Sequence, residues 1–213
     1  MDLLYHVPRR FPEPSRQTQK EKPLSDEIKT PRLRLRYMSE DFLLACHDNE
    51  PALAQDLIGL KIDAEWLREK NLMALRLGEL HSDVEYAPWS LRAIGDVRTG
   101  AMVGHIGFFS RPNPTYLRPY VQDGVELGYA VYPAYRRQGY AVEAIKGLVT
   151  WAAAEHGIEN FVMATEPENR PAIALAKKLG FEKAAEHVDP EDGLEYVYVL
   201  RGRALQQLLN TSP

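Results

Sequence analysis

The chain has 213 residues and a formal net charge of −4, with 26 Lys and Arg against 30 Asp and Glu. That length suits one domain, or one domain with a tail, and 45 % hydrophobic residues supply enough apolar side chains for a core. The acidic balance gives no global reason to expect nucleic acid, and a single cysteine, Cys46, excludes an internal disulfide and argues against a cysteine-built zinc site.

Residues 1–29 differ from the rest. Pro8, Pro12, Pro14 and Pro23 interrupt any helix, and both charge signs are mixed. The stretch reads as an extension, either a flexible arm or one docked through Leu3, Leu4, Tyr5 and Phe11. Its opening, MDLLYHVPRRFPEP, lacks the apolar core of a signal peptide, and no apolar stretch is long enough to span a bilayer. A cytoplasmic location without membrane contact is the expectation, with residues 30–213 as one domain.

Arg32-Leu33-Arg34-Leu35-Arg36 alternates with period two, as a half-buried strand does. Ser39 offers an N-cap for a helix through about Cys46. A second helix covers Pro51 to Ile58 and stops at Gly59. Asp63 is placed to cap a third, whose apolar stripe is Trp66, Met73, Leu77 and Leu80. Trp89–Gly95 and Met102–Phe109 read as a hairpin around Asp96 and Gly100. Residues 111–124 hold three prolines and close on Asp-Gly, a loop long enough to suggest a functional cover over a site.

Val125–Val131 is the next strand, and it runs through Pro133 into Arg136-Arg137-Gln138-Gly139-Tyr140-Ala141. A helix follows, with Ala141, Ala144, Ile145, Leu148, Val149 and Ala152 on one face and Gly157 near its end. A strand feeding a glycine turn into a helix N-terminus makes an anion site. The first helical N–H groups lack partners, and the helix dipole adds partial positive charge. A phosphate-bearing ligand is expected there. Phe161–Ala164 is a short apolar run suited to a buried parallel strand, which completes a right-handed βαβ unit. Asn169–Leu179 is helical, and Phe181–Val188 with Leu194–Leu200 form a last hairpin around residues 189–193.

Alternation sorts the strand before the turn into two faces. Val125, Leu127, Tyr129 and Val131 are bulky; Glu126, Gly128, Ala130 and Tyr132 form the other face, where Gly128 and Ala130 leave room for a substrate channel. Glu126 points into that side, as a candidate base or a strand-end glutamate paired with an arginine. The six histidines show no metal spacing and no metal is expected; the G-x-S-x-G, Walker A and H-E-x-x-H patterns are absent.

Four stretches in order resemble the GCN5-related N-acetyltransferases (GNAT), in particular the branch containing the ribosomal-protein N-terminal acetyltransferases. They are Thr30-Pro31-Arg32-Leu33-Arg34-Leu35-Arg36, Glu126-Leu127-Gly128-Tyr129, Arg136 to Ala141 on the pattern Q/R-x-x-G-x-G/A, and Glu168-Asn169-Arg170-Pro171-Ala172 followed by Leu179-Gly180-Phe181. The resemblance implies an α/β (α+β) GNAT fold: a mixed, mostly antiparallel sheet of about six or seven strands, splayed between strands four and five and flanked by helices. It implies an enzyme that moves an acetyl group from acetyl-CoA to a primary amine by direct attack. The acceptor is a peptide N-terminus or a small amine, and a homodimer is left open. A non-catalytic acyl-CoA-binding module on the same fold is the alternative.

By the same resemblance the cofactor's pyrophosphate sits on the N–H groups of Arg137, Gln138, Gly139, Tyr140 and Ala141, beside Arg136. Backbone groups near Ala130 and Val131 would hold the pantetheine arm. Asn169 caps a helix and, by resemblance, also contacts the cofactor or an ordered water. Many members place a tyrosine where this chain has Ala176, and the ribosomal branch often has a serine where it has Ala172. That leaves the proton donor to the departing thiolate without a residue, unless Tyr116, Tyr120 or Tyr132 serves.

Overall fold

The structure, a computed structural model, describes residues 27–189 and 193–210; the extension up to residue 26 and the centre of the last hairpin turn lie outside the described residues. One eight-stranded sheet forms the frame. In chain order its strands are β1 (Ile28–Lys29), β2 (Leu33–Tyr37), β3 (Arg92–Asp96), β4 (Met102–Phe108), β5 (Gly124–Val131), β6 (Asn160–Thr165), β7 (Glu182–Asp189) and β8 (Gly193–Arg201). They lie in the order β1-β2-β3-β4-β5-β6-β8-β7. Only β5 and β6 pair in parallel, so the sheet is mixed and mostly antiparallel. It has one strand beyond the upper expectation: Ile28 and Lys29, at the end of the expected extension, pair with Leu35 and Arg34.

Among the described residues six α-helices flank the sheet: α1 (Glu40–His47), α2 (Pro51–Ile58), α3 (Lys70–Ser82), α4 (Tyr140–His156), α5 (Arg170–Lys178) and α6 (Gly202–Asn210). The cap on α1 is as expected, with Ser39 accepting from the Phe42 N–H. In α4, Ala144, Ile145, Leu148, Val149 and Ala152 are buried, and this face packs on β2, β4 and β5. Trp66, Phe42, Met73 and Leu80 fill the core on the α1–α3 side. Among the described residues no helix is long and apolar enough to cross a membrane.

Two boundaries move. Asp63 Oδ1 accepts from the Glu65 N–H at 2.9 Å, but it leads into a 3-10 turn, Trp66–Arg68, and α3 starts only at Lys70. Trp89 belongs to a 3-10 turn, Val84–Trp89, which contains Pro88 and is capped by Asp83; β3 therefore begins at Arg92. A proline has no N–H for the ladder, so the chain turns before it extends.

The joint between β5 and β6 positions the site. They pair only at Gly124↔Asn160, Val125↔Phe161 and Glu126↔Val162. Beyond Glu126 the two strands part, while β5 stays paired to β4 as far as Gly104↔Val131. The sheet opens there into a V, at the joint expected between strands four and five; β1 shifts the count by one.

Candidate active site

One arm of the V runs up β5 into the glycine turn. A 3-10 turn, Pro133–Tyr135, precedes it, and Arg137 and Gly139 both take left-handed backbone angles, φ 61° and φ 83°. Gly139 is the N-cap of α4, and its carbonyl accepts the first helical bond, from the Glu143 N–H at 3.1 Å. The N–H groups of Tyr140, Ala141 and Val142 therefore have no acceptor within the helix. With the helix dipole behind them, they are arranged as an anion site requires. Arg136, Arg137, Gln138 and Gly139 are all exposed.

A buried network holds this turn from behind. Glu143, in the first turn of α4, is salt-bridged and buried. Its Oε1 accepts from Thr30 Oγ1 at 2.6 Å and from the Arg32 N–H at 2.7 Å; its Oε2 accepts from Arg32 Nε at 2.6 Å. Burial alone would raise the carboxyl's pKa, but these donors outweigh it and hold it below the usual range. Arg32 also donates to the Gln138 carbonyl at 3.0 Å, and its guanidinium lies 5.0 Å over the Tyr140 ring. The Tyr140 hydroxyl turns inward and donates to Asp96 Oδ2 at 2.7 Å. The first strand motif and the glycine turn are thus one unit.

Along β5, the Phe109 N–H donates to the Glu126 carbonyl and the Tyr132 N–H donates to the Val103 carbonyl, each at 3.0 Å. Residues 126, 128, 130 and 132 therefore aim their backbone groups at β4; the Leu127 N–H makes the last bond to β6, and Tyr129 and Val131 aim their groups into the opening. The Val131 carbonyl there accepts from Arg136 Nε at 3.0 Å. Of the two residues expected to hold a pantetheine arm, Val131 faces the opening. Ala130 presents its carbonyl to Gly104 of β4, leaving no room for a Cβ on that glycine.

Glu126 sits where the strands part, 8 % exposed. Burial pushes its carboxyl up to about 7; a hydrogen bond from Tyr116 works against the rise, and the nearby Glu195 adds to it. Of the three tyrosines weighed from the sequence, Tyr116 reaches this carboxylate. Tyr120 meets the edge of His187, and Tyr132 is buried 6.2 Å from the His105 ring. Tyr116 sits in the 111–124 loop, which is pinned down. Arg111 bridges Asp83 at 2.8 Å and also pairs with Glu85; the Asn113 N–H donates to the Gly124 carbonyl at 2.7 Å. Leu117 and Val121 pack on Val162, Val197 and Val199.

The room expected over Gly128 is filled. The Phe109 ring lies where a Gly128 Cβ would be, with its Cζ at 2.5 Å and Cε1 at 2.9 Å from that point. The Arg76 guanidinium lies 5.4 Å from the same ring. Arg76 is buried, bonded to Glu79 at 2.5 Å and to the Tyr86 hydroxyl at 3.0 Å. Beside it His105 is buried under Trp66, 5.3 Å between ring centres. Burial, and secondarily Arg76, depress His105 to about 4, so the ring is neutral near pH 7. Phe109 and Tyr116 escaped the reading from the sequence as neighbours of Glu126; the antiparallel register, which sets Phe109 opposite Glu126, was the available signal.

Asn169 is exposed, and its Oδ1 accepts from the Ala172 N–H at 3.2 Å, an N-cap for α5. Ala176 is buried in the core. Among the described residues no group of three or more His, Cys, Asp or Glu could hold a metal ion. A depression of about 280 Å³ between β7, β8 and α6, lined in part by Lys183, Arg201 and Arg203, involves none of these residues.

Comparison with known proteins follows the same lines. Residues 32–182 match the family model described as "Acetyltransferase (GNAT) domain". Over 89 residues the chain is 30 % identical to the "Uncharacterized N-acetyltransferase YjdG" of Bacillus subtilis, a match that spans 40 % of this chain and 49 % of that protein. The chain thus spans about half the length of this curated relative. Among solved structures it resembles RimL, a ribosomal L7/L12 alpha-N-protein acetyltransferase in complex with coenzyme A. The TM-score is 0.59 at 17 % identity, covering 84 % of this chain and 99 % of RimL. The self-immunity acetyltransferase MccE, in complex with acetyl-CoA and AMP, gives a TM-score of 0.54 at 14 % identity, covering 85 % of this chain and 98 % of MccE. These two likenesses concern the fold.

Proposed function

The chain belongs to the acetyltransferase (GNAT) domain family, and from that premise we propose that it is an N-acetyltransferase that moves an acetyl group from acetyl-CoA to a primary amine by direct attack. One observation carries the reading. A single V-shaped opening joins an anion turn at the end of β5 to a buried carboxylate at the vertex.

Acetyl-CoA supplies the activated acyl thioester. The turn from Arg137 to Ala141, with Arg136 beside it, would hold the pyrophosphate, and Gly139 lets the backbone approach it closely. The gap-facing backbone of Tyr129 and Val131 would bond the pantetheine amides as an added strand does, and one of these N–H groups would serve the acyl oxygen. Glu126, poised near neutrality, would take the proton that the acceptor's ammonium must lose before its amine can attack, directly or through a water. The new C–N bond then replaces the C–S bond, the sulfur leaves as a thiolate, and the second proton shed by the nitrogen goes to that thiolate or to solvent. A thiol pKa of roughly 8–9 means that this group departs without a strong acid.

The acceptor is a peptide N-terminus or a small amine. The resemblance to the ribosomal branch and the RimL-like fold favour the peptide. The second reading, a non-catalytic acyl-CoA-binding module, is favoured by Ala172 and Ala176, and by Asn169 already serving as a cap. Two measurements separate them. Saturating acetyl-CoA should raise the melting temperature by ligand linkage, and thiol release should follow on adding peptides or amines. Binding without thiol release on any acceptor would favour the module; no binding at all would sink both readings.

A further inference from the structure

On the acceptor side of this proposed site, we propose that Phe109 is the specificity-determining residue: its ring narrows the approach to Glu126 and admits an amine on an unhindered carbon while rejecting amines with bulk beside the nitrogen. The inference rests on the acyl-transfer reading above.

An exposed aromatic ring needs no explanation by itself. This one is 44 % exposed, yet it is held in one place. The backbone N–H of Phe109 is fixed to the Glu126 carbonyl at 3.0 Å, so register places the residue opposite the candidate base. Its ring then folds over Gly128, the next residue on the Glu126 face, where any side chain would collide with it. Arg76 supports the ring at 5.4 Å. The hydroxyl of Tyr86, which holds Arg76, also donates to the Phe108 carbonyl at 2.6 Å. Tyr116, about half exposed, comes from the 111–124 loop to the same carboxylate. Glu126 is therefore flanked by two aromatic side chains from different segments. Aromatic faces and a carboxylate suit an ammonium group, and a fixed ring limits what that ammonium can carry.

The test compares thiol release, as kcat/KM, on two short peptides that differ only in beginning with glycine or with phenylalanine. Wild type should prefer the glycine peptide. Phe109→Ala should reduce that preference about tenfold or more, the scale on which a pocket senses added bulk, by raising activity on the bulky peptide. Phe109→Leu should fall between. An acetyl-CoA-induced rise in melting temperature in each variant shows that the fold and the cofactor side are intact. An unchanged preference in whichever variant keeps that rise would overturn this inference alone. Absence of thiol release by wild type on both peptides and on small amines would overturn the acyl-transfer reading and this inference with it.

Discussion

The two halves of the opening are built on different physical terms. Around the glycine turn, the polar side chains are paired: Glu143 with Thr30 and Arg32, Arg32 also with the Gln138 carbonyl, and Tyr140 with Asp96. The groups left free are backbone N–H groups pointing where an anion would sit. Around Glu126 the balance is reversed. Its carboxyl is buried and raised to about 7, and on the same side Arg76 Nε, behind the Phe109 ring, and His105 Nδ1 are buried without a hydrogen-bond partner among the described residues. A satisfied network fixes a geometry, whereas unsatisfied buried polar atoms store a desolvation cost that chemistry or a ligand can relieve. The anion half is a preformed mould, and the Glu126 half is poised.

The sharpest way to break this contrast is Glu126→Gln. As a base it should lose roughly 10²- to 10⁴-fold in turnover, while acetyl-CoA raises the melting temperature as in wild type. The pH profile checks the same point. Only the deprotonated carboxylate accepts a proton, and its pKa is pushed up to about 7. Activity should therefore fall as pH drops through about 7, and that limb should vanish in the variant. Unchanged turnover at neutral pH would remove Glu126 as an essential base.

A smaller effect is expected from Gly139→Val on the moulded side. At φ 83° a β-branched residue is strained by about 1–2 kcal/mol, and its Cβ would come within 3.2 Å of Arg32 Nη2. If the strain is relieved by deforming the turn, acetyl-CoA affinity should fall about 5- to 30-fold, read by calorimetry, with turnover at saturation little changed. A loss of turnover with affinity intact would mean that the two halves are not separate.

The moulded half was the more legible in the sequence, for a physical reason. Its signals are local: the period-two strand, the glycine, and the helix face that begins at once. What stayed hidden there was the long-range part, since Arg32 and Glu143 are 111 positions apart and periodicity says only that Glu143 lies off the apolar stripe. The poised half depends almost wholly on contacts between distant segments. Alternation placed Glu126 and Gly128 on one face correctly, but it could not show that Phe109 crosses over from β4 to fill the space. Tyr116 is carried by an irregular loop whose path is set by Arg111 and by Leu117 and Val121. The extra edge strand, Ile28–Lys29, pairs just two residues and is too short for any periodic signal.

Asn169→Ala gives the smallest expected effect and tests which half, if either, this residue serves. Its one side-chain hydrogen bond among the described residues is the cap, Oδ1 accepting from the Ala172 N–H at 3.2 Å, on an exposed helix end that also has Pro171 in its first turn. Losing a cap of this kind costs about 0.5–2 kcal/mol. Proline's preset φ fits the first helical turn and should keep the loss toward the lower end. If capping is its whole role, urea unfolding should show that loss while acetyl-CoA affinity and turnover stay at wild-type values. If the side chain also reaches the cofactor or a bound water, affinity or turnover should drop by more than the stability change explains. Asn169→Asp decides between them, because aspartate caps as well as asparagine but has no N–H to donate. Wild-type activity in the aspartate variant would assign Asn169 to the helix alone. Reduced activity with stability intact would make it a third contributor at the opening, supplied from beyond β6.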